Sequence, residues 1–433
     1  MAIRIIKTSD SHFDALFAEI LKRGEDDAGN VDGIVTEILL NVKKRGDAAL
    51  LEYTARFDNF TTTSEKLKVS EDEIEEAFNA IESDVKKALT IAAERIRTFH
   101  EKQLEESWAS EDEEGIILGQ LVRPLEKVGI YVPGGKAAYP SSVLMNTIPA
   151  RVAGVKQVIM VVPTPGGEKN KYLLAAAKIA GVDAVYPVGG AQAVAALAYG
   201  TETIPNVDKI VGPGNIFVAT AKKMVFGVVD IDMIAGPSEV LIISDGSGEP
   251  SYIAADMLAQ AEHDEMASST LITTSEEFGR RVSDELSRQV EKLKRRDIAK
   301  ASIDNRGVII IANTLEEAFN LSNDMAPEHL ELALDEPEKH LEKVNNAGAI
   351  FMGHYTPEAL GDYVAGPNHV LPTGGSAKFF SPLGTYDFLK RSSLLSFTKE
   401  AFSKIGREAE LIADVEGLEG HGNTVRIRMG EAI

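Results

Sequence analysis

The spacing of apolar residues changes about a quarter of the way along the chain. In residues 32–51 and 72–104, apolar positions recur at helical spacing with charged residues between them, which predicts amphipathic helices. From residue 126 onward, short β-branched runs alternate with alanine-rich helical runs, which predicts βαβ units and a largely parallel sheet. The expected strands of this first set are residues 155–162, 184–188 and 209–211, and the expected helices are residues 172–180, 191–198 and 215–225.

A second alternating set follows the first. Its expected strands are residues 240–244, 270–274, 308–311 and 349–351, and its expected helices are residues 250–263, 276–293 and 315–323. The alternation stops after residue 375, and the remainder holds one long helical run, residues 393–414, and then an extended tail. Such a segment is a poor core for an independent domain, so we expect it to dock onto another domain or another subunit.

The expected fold class is therefore α/β, with two consecutive parallel-sheet units and a cleft between them. The predicted parts are a helical N-terminal region (residues 1–125), a first α/β unit (126–236), a second α/β unit (237–378) and a C-terminal helical tail (379–433).

Composition removes several classes of function. The 433 residues include 45 Lys and Arg against 67 Asp and Glu, a net charge of −22, which argues against a sequence-independent grip on nucleic acid. The chain has no cysteine, so a disulfide framework, a thiolate metal site and a cysteine nucleophile are excluded. The apolar runs are too short for a signal peptide or a membrane span, and we expect a cytoplasmic protein.

Glycine-rich turns follow several predicted strands. They occupy residues 132–135, 188–192, 211–215 and 235–239, whereas a Gly-x-Gly-x-x-Gly or P-loop motif is absent from the sequence. Ligands of open parallel sheets bind at the carboxyl ends of strands, where such turns lie, although glycine serves ordinary turns equally well. Two of the turns are followed by Gln192 and Asn215 at the start of a predicted helix, which favours a ligand-binding cleft.

Two short motifs combine residues that suit acid–base or metal chemistry. Gln260 and His263 are three positions apart on a predicted helix, so an amide oxygen and an imidazole could reach one metal ion; a solvated helix end is the simpler alternative. Glu328 and His329 are adjacent at a predicted loop-to-helix turn and could serve as two proton carriers. Helix capping is the alternative reading of that turn.

Three more candidates lie toward the C-terminus. Asp362 and His369 belong to one glycine-rich segment, and His421 lies between two glycines in the tail. Together with Gln260 and His263, the Asp362 and His421 side chains offer the nitrogen and oxygen ligands that zinc accepts. The sequence does not show that these side chains meet in space.

Taken together, these segments resemble histidinol dehydrogenase, the enzyme that oxidises L-histidinol to L-histidine at the end of histidine synthesis. The resemblance extends from about residue 129 to 428, and the first 120 residues match only in general character. The segments that carry it are residues 131–135, 189–192, 212–215, 236–240, 260–263, 327–330, 357–373 and the tail around His421.

The resemblance implies a role for each matching residue. Zinc would be held by Gln260, His263, Asp362 and His421, with the tail histidine supplied by the partner subunit of a homodimer whose active sites are shared. Glu328 and His329 would be the acid–base pair. Substrate would be bound by Ser238, Gln260, His263, His329, Asp362, His369, Glu416 and His421. NAD would contact Tyr131, Gln192 and Asn215 on incomplete Rossmann-like units.

The implied reaction is a four-electron oxidation by two NAD⁺ through bound L-histidinaldehyde. In it, zinc would orient the substrate, His329 would take the alcohol proton and Glu328 would activate water. Two alternatives remain at this point: a zinc hydrolase that uses the same site with Glu328 as base, and a non-catalytic metal- or nucleotide-binding protein.

Overall fold

The computed structural model describes residues 3–22, 31–112, 115–134, 138–234 and 236–431. The described residues form two compact units: the first is drawn from residues 1–103 and 125–388, and the second from residues 104–124 and 389–433. Among the described helices, none is long and apolar enough to cross a membrane. The second unit therefore joins residues 104–124 to residues 389–433, and the domain boundaries expected from the sequence stay a prediction.

The strands, in chain order, are β1 (Arg4–Lys7), β2 (Trp108–Glu111), β3 (Ile117–Pro124), β4 (Lys127–Tyr131), β5 (Gln157–Val161), β6 (Ala184–Tyr186), β7 (Lys209–Val211), β8 (Asp230–Ile231), β9 (Glu239–Ser244), β10 (Ser268–Thr273), β11 (Val308–Ile311), β12 (His329–Ala333), β13 (Ala349–Met352) and β14 (Leu389–Ser396).

The α-helices, in chain order, are α1 (Phe13–Leu21), α2 (Val31–Arg45), α3 (Asp47–Phe57), α4 (Glu71–Ala80), α5 (Ser83–Glu101), α6 (Pro140–Ala153), α7 (Lys171–Ala180), α8 (Gly190–Tyr199), α9 (Ile216–Val225), α10 (Pro250–Ala261), α11 (Glu276–Val290), α12 (Arg296–Arg306), α13 (Leu315–Met325), α14 (Glu358–Tyr363), α15 (Lys399–Val415) and α16 (Glu419–Met429).

One sheet of the first unit has six parallel strands in the order β1-β11-β10-β9-β12-β13. Every residue of β9 is buried, and its alternate residues enter different cores: Val240 and Ile242 pack with α10, α11 and α12, and Leu241 and Ile243 pack with α1 and α13. Burial on both faces is typical of a parallel strand between two helical layers. The α/β fold class expected for this part of the chain is confirmed.

The other sheet of the first unit has five parallel strands in the order β6-β5-β4-β7-β8. Its hydrophobic core includes Val35 and Ile38 of α2 and Leu50 of α3, packed with Leu197 of α8. The helical N-terminal region thus supplies one side of this core, and its strand β1 extends the six-stranded sheet. A strand of four residues with one buried side chain has too little pattern to be recognised in sequence.

The second unit contains an antiparallel sheet in the order β14-β3-β2 and the helices α15 and α16. The long helix predicted over residues 393–414 is wrong at its start, because residues up to 396 pair with β3, and the extended tail is wrong, because α16 is helical. The eight residues of β14 are mostly exposed, so they lack the apolar alternation that identifies a strand. Arg426 of α16 forms ion pairs with Glu410 and Asp414 of α15 and joins the two helices.

Close packing between Gly129 of β4 and Leu197 of α8 leads to a prediction for stability. A Cβ atom at position 129 would lie 2.8 Å from Leu197 Cδ1. We expect Gly129→Ala to lower the free energy of unfolding by about 1–3 kcal/mol through overpacking. Leu197→Ala should lower it by about 2–5 kcal/mol through the cavity that it leaves. In the double variant the added methyl enters that cavity, so its loss, measured by urea or thermal unfolding, should be smaller than the sum of the two single losses.

Gly420→Ala is the matched control, because no described atom outside the neighbouring part of its own helix lies within 4 Å of the position of its added Cβ atom. Alanine favours the helix there, so the unfolding midpoint should stay or rise. Additive losses in the double variant would contradict the proposed contact.

Candidate active site

The candidate residues of the first unit lie at opposite ends of its two sheets. In the five-stranded sheet they lie at the carboxyl ends, with Tyr131 ending β4 and Asn215 four residues after β7. In the six-stranded sheet they lie at the amino ends, with Ser238 just before β9 and Glu328 just before β12. The rule that ligands bind at carboxyl ends of parallel strands therefore describes only the first of these sheets.

Three side chains form a cluster suited to a metal ion. One ligand atom each from His263, Glu358 and Asp362 lies within 4.8 Å of the other two. Gln260 adjoins them, and with its amide turned so that the nitrogen faces Glu358, that nitrogen donates to the two carboxylate oxygens over 2.8 and 2.9 Å. Gln260 lies in the last turn of α10 and His263 two residues beyond it, so the predicted spacing does direct both toward one place.

Sequence reasoning missed Glu358, whose side chain is buried. Glu358 and Asp362 are four residues apart on the short helix α14, a spacing that puts both carboxylates on one helix face. That spacing was the available signal. Asp362 therefore lies in a helix rather than in the predicted glycine-rich loop.

His329 begins strand β12 and Glu328 immediately precedes it, so the predicted loop-to-helix turn and its capping alternative are both wrong. Glu239 holds both residues: its N–H donates to Glu328 Oε2 over 2.9 Å, and its carbonyl oxygen accepts from His329 Nδ1 over 3.0 Å. With the proton of the neutral ring on Nδ1, the lone pair of His329 lies on Nε2. This buried nitrogen has no hydrogen-bond partner among the described residues and lies 3.7 Å from Asp362 Oδ1.

Burial and neighbouring charges shift the pKa values of Glu328 and His329. Loss of water raises the pKa of Glu328 to about 8, against the opposing charge of His329. Burial alone would lower the pKa of His329, but the nearby carboxylates of Glu358, Glu328 and Asp362 outweigh it and raise that pKa well above its ordinary value. Both pKa values are raised, which favours a neutral Glu328 beside a charged His329. Strongly perturbed neighbouring groups of this kind are typical of functional sites.

The His263–Glu358–Asp362 cluster shows the same competition between burial and charge. Burial raises the pKa of Glu358 to about 7 and lowers the pKa of His263. Burial would also raise the pKa of Asp362, but His329 and the neighbouring histidines hold it below its ordinary value. A divalent cation bound to this cluster would take over from protonated His329 as the counter-charge of the carboxylates.

His369 contacts Asp362 of this cluster, and Ser238 precedes Glu239 in the chain. His369 Nδ1 donates to the carbonyl oxygen of Asp362 over 2.9 Å, and its Nε2 lies 3.3 Å from Ser142 Oγ on α6. Burial lowers the pKa of His369, so its ring is neutral near pH 7. Ser238 is half-buried and immediately precedes Glu239, which holds Glu328 and His329.

A cavity of about 680 Å³ adjoins His263. Its walls include apolar residues of α5, the start of α6 and the residues after α14; they are Val85, Ala88, Leu89, Ile91, Ala92, Ala138, Tyr139, Pro140, Ser141, Leu144, Glu262, His263, Arg295, Tyr363 and Val364. Helix α5 of the N-terminal region therefore forms part of the wall of the cavity beside His263.

Two of the three predicted NAD contacts meet at the turn after β6. The Tyr131 hydroxyl accepts from the Gly190 N–H over 3.0 Å, and burial raises the pKa of Tyr131 to about 12. Gln192 is 1% exposed, and neither atom of its side-chain amide has a hydrogen-bond partner within the described structure. Asn215 caps α9, because its Oδ1 accepts from the N–H groups of Phe217 and Val218, which leaves only its amide nitrogen for a ligand.

Glu416 and His421 belong to the second unit. Glu416 follows the last residue of α15, His421 lies in the first turn of α16, and both side chains are exposed. The first unit by itself therefore brings together Gln260, His263, Glu358 and Asp362, with His329 beside them.

Comparisons with known proteins show which family the chain resembles over nearly its whole length. The sequence model of the family described as histidinol dehydrogenase matches residues 21–429. The histidinol dehydrogenase of Syntrophotalea carbinolica is 58% identical over 430 residues, covering 99% of this chain and 100% of the relative, and that of Geobacter sulfurreducens is 58% identical over 428 residues with the same coverage. The crystal structure of histidinol dehydrogenase from Elizabethkingia anophelis matches with a TM-score of 0.93 at 35% identity, covering 99% of this chain and 98% of the other.

Proposed function

Because the chain belongs to the histidinol dehydrogenase family, an oxidoreductase family of histidine biosynthesis, we propose that it converts L-histidinol to L-histidine with two NAD⁺ and one zinc ion. The observation that carries the proposal is the position of the His263–Glu358–Asp362 cluster beside the buried Glu328–His329 pair. Asp362 Oδ1 of the potential metal site and His329 Nε2, a potential proton acceptor, are 3.7 Å apart, so both can act on one bound alcohol.

The donor set fits zinc. An imidazole, a carboxylate and an amide oxygen would come from His263, Asp362 and Gln260, and the fourth ligand would be His421 of the partner subunit. Glu358 accepts from the amide nitrogen of Gln260, which leaves the amide oxygen available to the ion. Bound zinc would supply a template that fixes the substrate's imidazole and amino groups.

The acid–base pair can manage the protons of both oxidations. His329, whose Nδ1 is committed to the Glu239 carbonyl, would accept the alcohol proton at Nε2 in the first oxidation. Glu328 would take a proton from water as the water attacks the bound aldehyde, and His329 would accept the hydrate's hydroxyl proton in the second oxidation. NAD⁺ would accept one hydride in each oxidation, so the balance is two NADH, one carboxylate and three protons from histidinol and water.

The unpartnered amide of Gln192 supports a cofactor site at the carboxyl ends of the five-stranded sheet, because buried polar groups without a partner are rare. A cavity of about 390 Å³ lies at the same edge, bordered by Gly134 after β4, Pro163 after β5 and Pro187 after β6. Backbone turns of this kind admit part of a dinucleotide without the usual glycine loop.

Exposed apolar side chains on the second unit support a homodimer. Ile412 is 62% exposed and Val415 is 90% exposed on α15, and Ile427 is 56% exposed on α16. Ile412 and Val415 are three residues apart and so share one face of α15, and exposed apolar side chains on one face favour a surface that another protein covers. Because the same two helices carry or adjoin Glu416 and His421, docking on a partner would bring those residues to its active site. The cytoplasmic location remains a prediction.

The first prediction concerns stoichiometry and metal. Purified protein with excess NAD⁺ and limiting L-histidinol should form two NADH per histidinol, measured by absorbance, and a chelator should abolish the signal until zinc is restored. His263→Asn should lose zinc, measured by mass spectrometry, and activity together, because a four-ligand site that loses its imidazole loses most of its affinity for the ion.

His354→Asn is the matched control, because His354 pairs with Asp335 and not with the cluster. One NADH per histidinol would mean that the aldehyde is released. No NADH from zinc-loaded protein would reject the proposal in favour of the hydrolase alternative.

The second prediction separates the two oxidations. Glu328→Gln should slow oxidation of L-histidinaldehyde by about 10²–10⁴-fold and the alcohol step far less, because only the former needs a base for water. In the unaltered protein the aldehyde step should accelerate as pH rises through about 8, where Glu328 loses its proton, and the variant should lack this rise. Stopped-flow NADH formation from each substrate measures both.

Glu336→Gln provides the control, because Glu336 is an exposed carboxylate paired with Lys339. Equal losses in both oxidation steps would overturn the role given to Glu328.

The third prediction tests the shared site. His263→Asn and His421→Asn homodimers should each be inactive. After mixing and subunit exchange in equal amounts, about one quarter of the original sites should be intact, because each mixed dimer regains one complete site. Activity after exchange, with native mass spectrometry to verify the mixed dimers, measures this. Verified mixed dimers without activity would exclude a site shared between subunits.

A further inference from the structure

A buried ion pair lies beneath the turn that follows β7. Lys222 of α9 and Asp232, just after β8, have side chains that are 3% and 1% exposed, and Lys222 Nζ donates to Asp232 Oδ1. Replacing such a pair by apolar residues is often neutral or stabilising, so a buried ion pair is weak evidence of a role in stability. None of the steps derived above uses either residue.

Lys222 and Asp232 also both form hydrogen bonds with the backbone of Gly212. Lys222 Nζ donates to the Gly212 carbonyl oxygen over 2.9 Å, and the Gly212 N–H donates to Asp232 Oδ2 over 2.8 Å. Gly212 has a φ of +108°, and a Cβ atom there would lie 2.1 Å from the carbonyl oxygen of Tyr131. The ion pair thus holds Gly212 in a backbone conformation that other residues rarely adopt. In this conformation Gly212 is in close contact with the carboxyl end of β4.

This turn connects two of the expected NAD contacts. Asn215 follows Gly212 by three residues and caps α9, the helix that carries Lys222. Tyr131, which Gly212 touches, accepts a hydrogen bond from Gly190 at the turn before Gln192. A shift of Gly212 would therefore move Asn215 directly and the Tyr131–Gly190 contact through the backbone of β4.

We propose that Lys222 and Asp232 are positioning residues that hold the Gly212 turn in the conformation that binds NAD⁺. This inference rests on the proposed function. The pair acts on cofactor affinity through the backbone, and it leaves the metal cluster and the Glu328–His329 pair unchanged.

The test is the double variant Lys222→Met/Asp232→Leu, which removes both charges together, so that no unpaired charge is left buried. The KM for NAD⁺ should rise about tenfold, equivalent to about 1.4 kcal/mol of binding free energy. The kcat at saturating NAD⁺, the KM for histidinol and the zinc content should stay within about twofold of the unaltered protein, since a positioning role affects binding of one ligand. Calorimetric titration with NAD⁺ gives a second reading of the same affinity.

Lys209→Met is the matched control, because Lys209 is also buried and ion-paired, with Asp230 at 3.0 Å, but lies at the amino end of β7. It should leave the KM for NAD⁺ unchanged even where it lowers stability. If the double variant does not fold, Asp232→Asn, which retains an acceptor for the Gly212 N–H, should raise the KM for NAD⁺ less than Lys222→Met does.

An unchanged KM for NAD⁺ in a folded double variant would overturn the positioning role while the unaltered protein still forms NADH. An equal rise with Lys209→Met would also overturn it, because the effect would then be general destabilisation. Absence of histidinol-dependent NADH in the unaltered protein would instead reject the proposed function, and the positioning role with it.

Discussion

Carboxylates buried away from water are the constraint on which the rest of the site depends. Glu328 just before β12, Glu331 within β12 and Glu358 at the start of α14 are each at most 6% exposed. Burial of ionised groups is costly unless charges or hydrogen bonds compensate. Here backbone N–H groups donate to two of them, Glu239 N–H to Glu328 and Glu358 N–H to Glu331, and His329 supplies positive charge. A divalent cation in the cluster would complete that compensation, which links metal binding to the protonation of His329.

The candidate residues of the two sheets lie at opposite ends, and the groups available at those ends differ. At the carboxyl ends of the five-stranded sheet lie glycine turns and the side-chain amide of Gln192, which has no hydrogen-bond partner among the described residues. These features suit a ligand with many donors and acceptors of its own. At the amino ends of the six-stranded sheet, backbone N–H groups are available instead. There the N–H of Glu239 donates to Glu328, and its carbonyl oxygen accepts from His329. Helix α6 connects these regions, since it follows β4 and its Ser142 reaches His369.

The N-terminal region does more than cover the α/β segments. It contributes strand β1 to one sheet, helices α2 and α3 to the core of the other, and α5 to the wall of the cavity beside His263. Buried His100 of α5 also lies 3.5 Å from the amide of Asn368, next to His369. The sequence shows helical periodicity here but not these roles, because amphipathic spacing identifies an apolar face and not its partner.

The sequence by itself determined the α/β class, most strands and helices after residue 126, and the family, because buried parallel strands and ordered motifs are local patterns. It also placed Gln260 and His263 on one side of a helix end. Only the tertiary structure decided that Glu358 joins the cluster, that Glu328 and His329 begin a strand, and that Lys222 and Asp232 hold Gly212. Each of these depends on contacts between residues far apart in the chain, and the pKa of a buried group depends on all the charges around it. Local spacing contains neither kind of information.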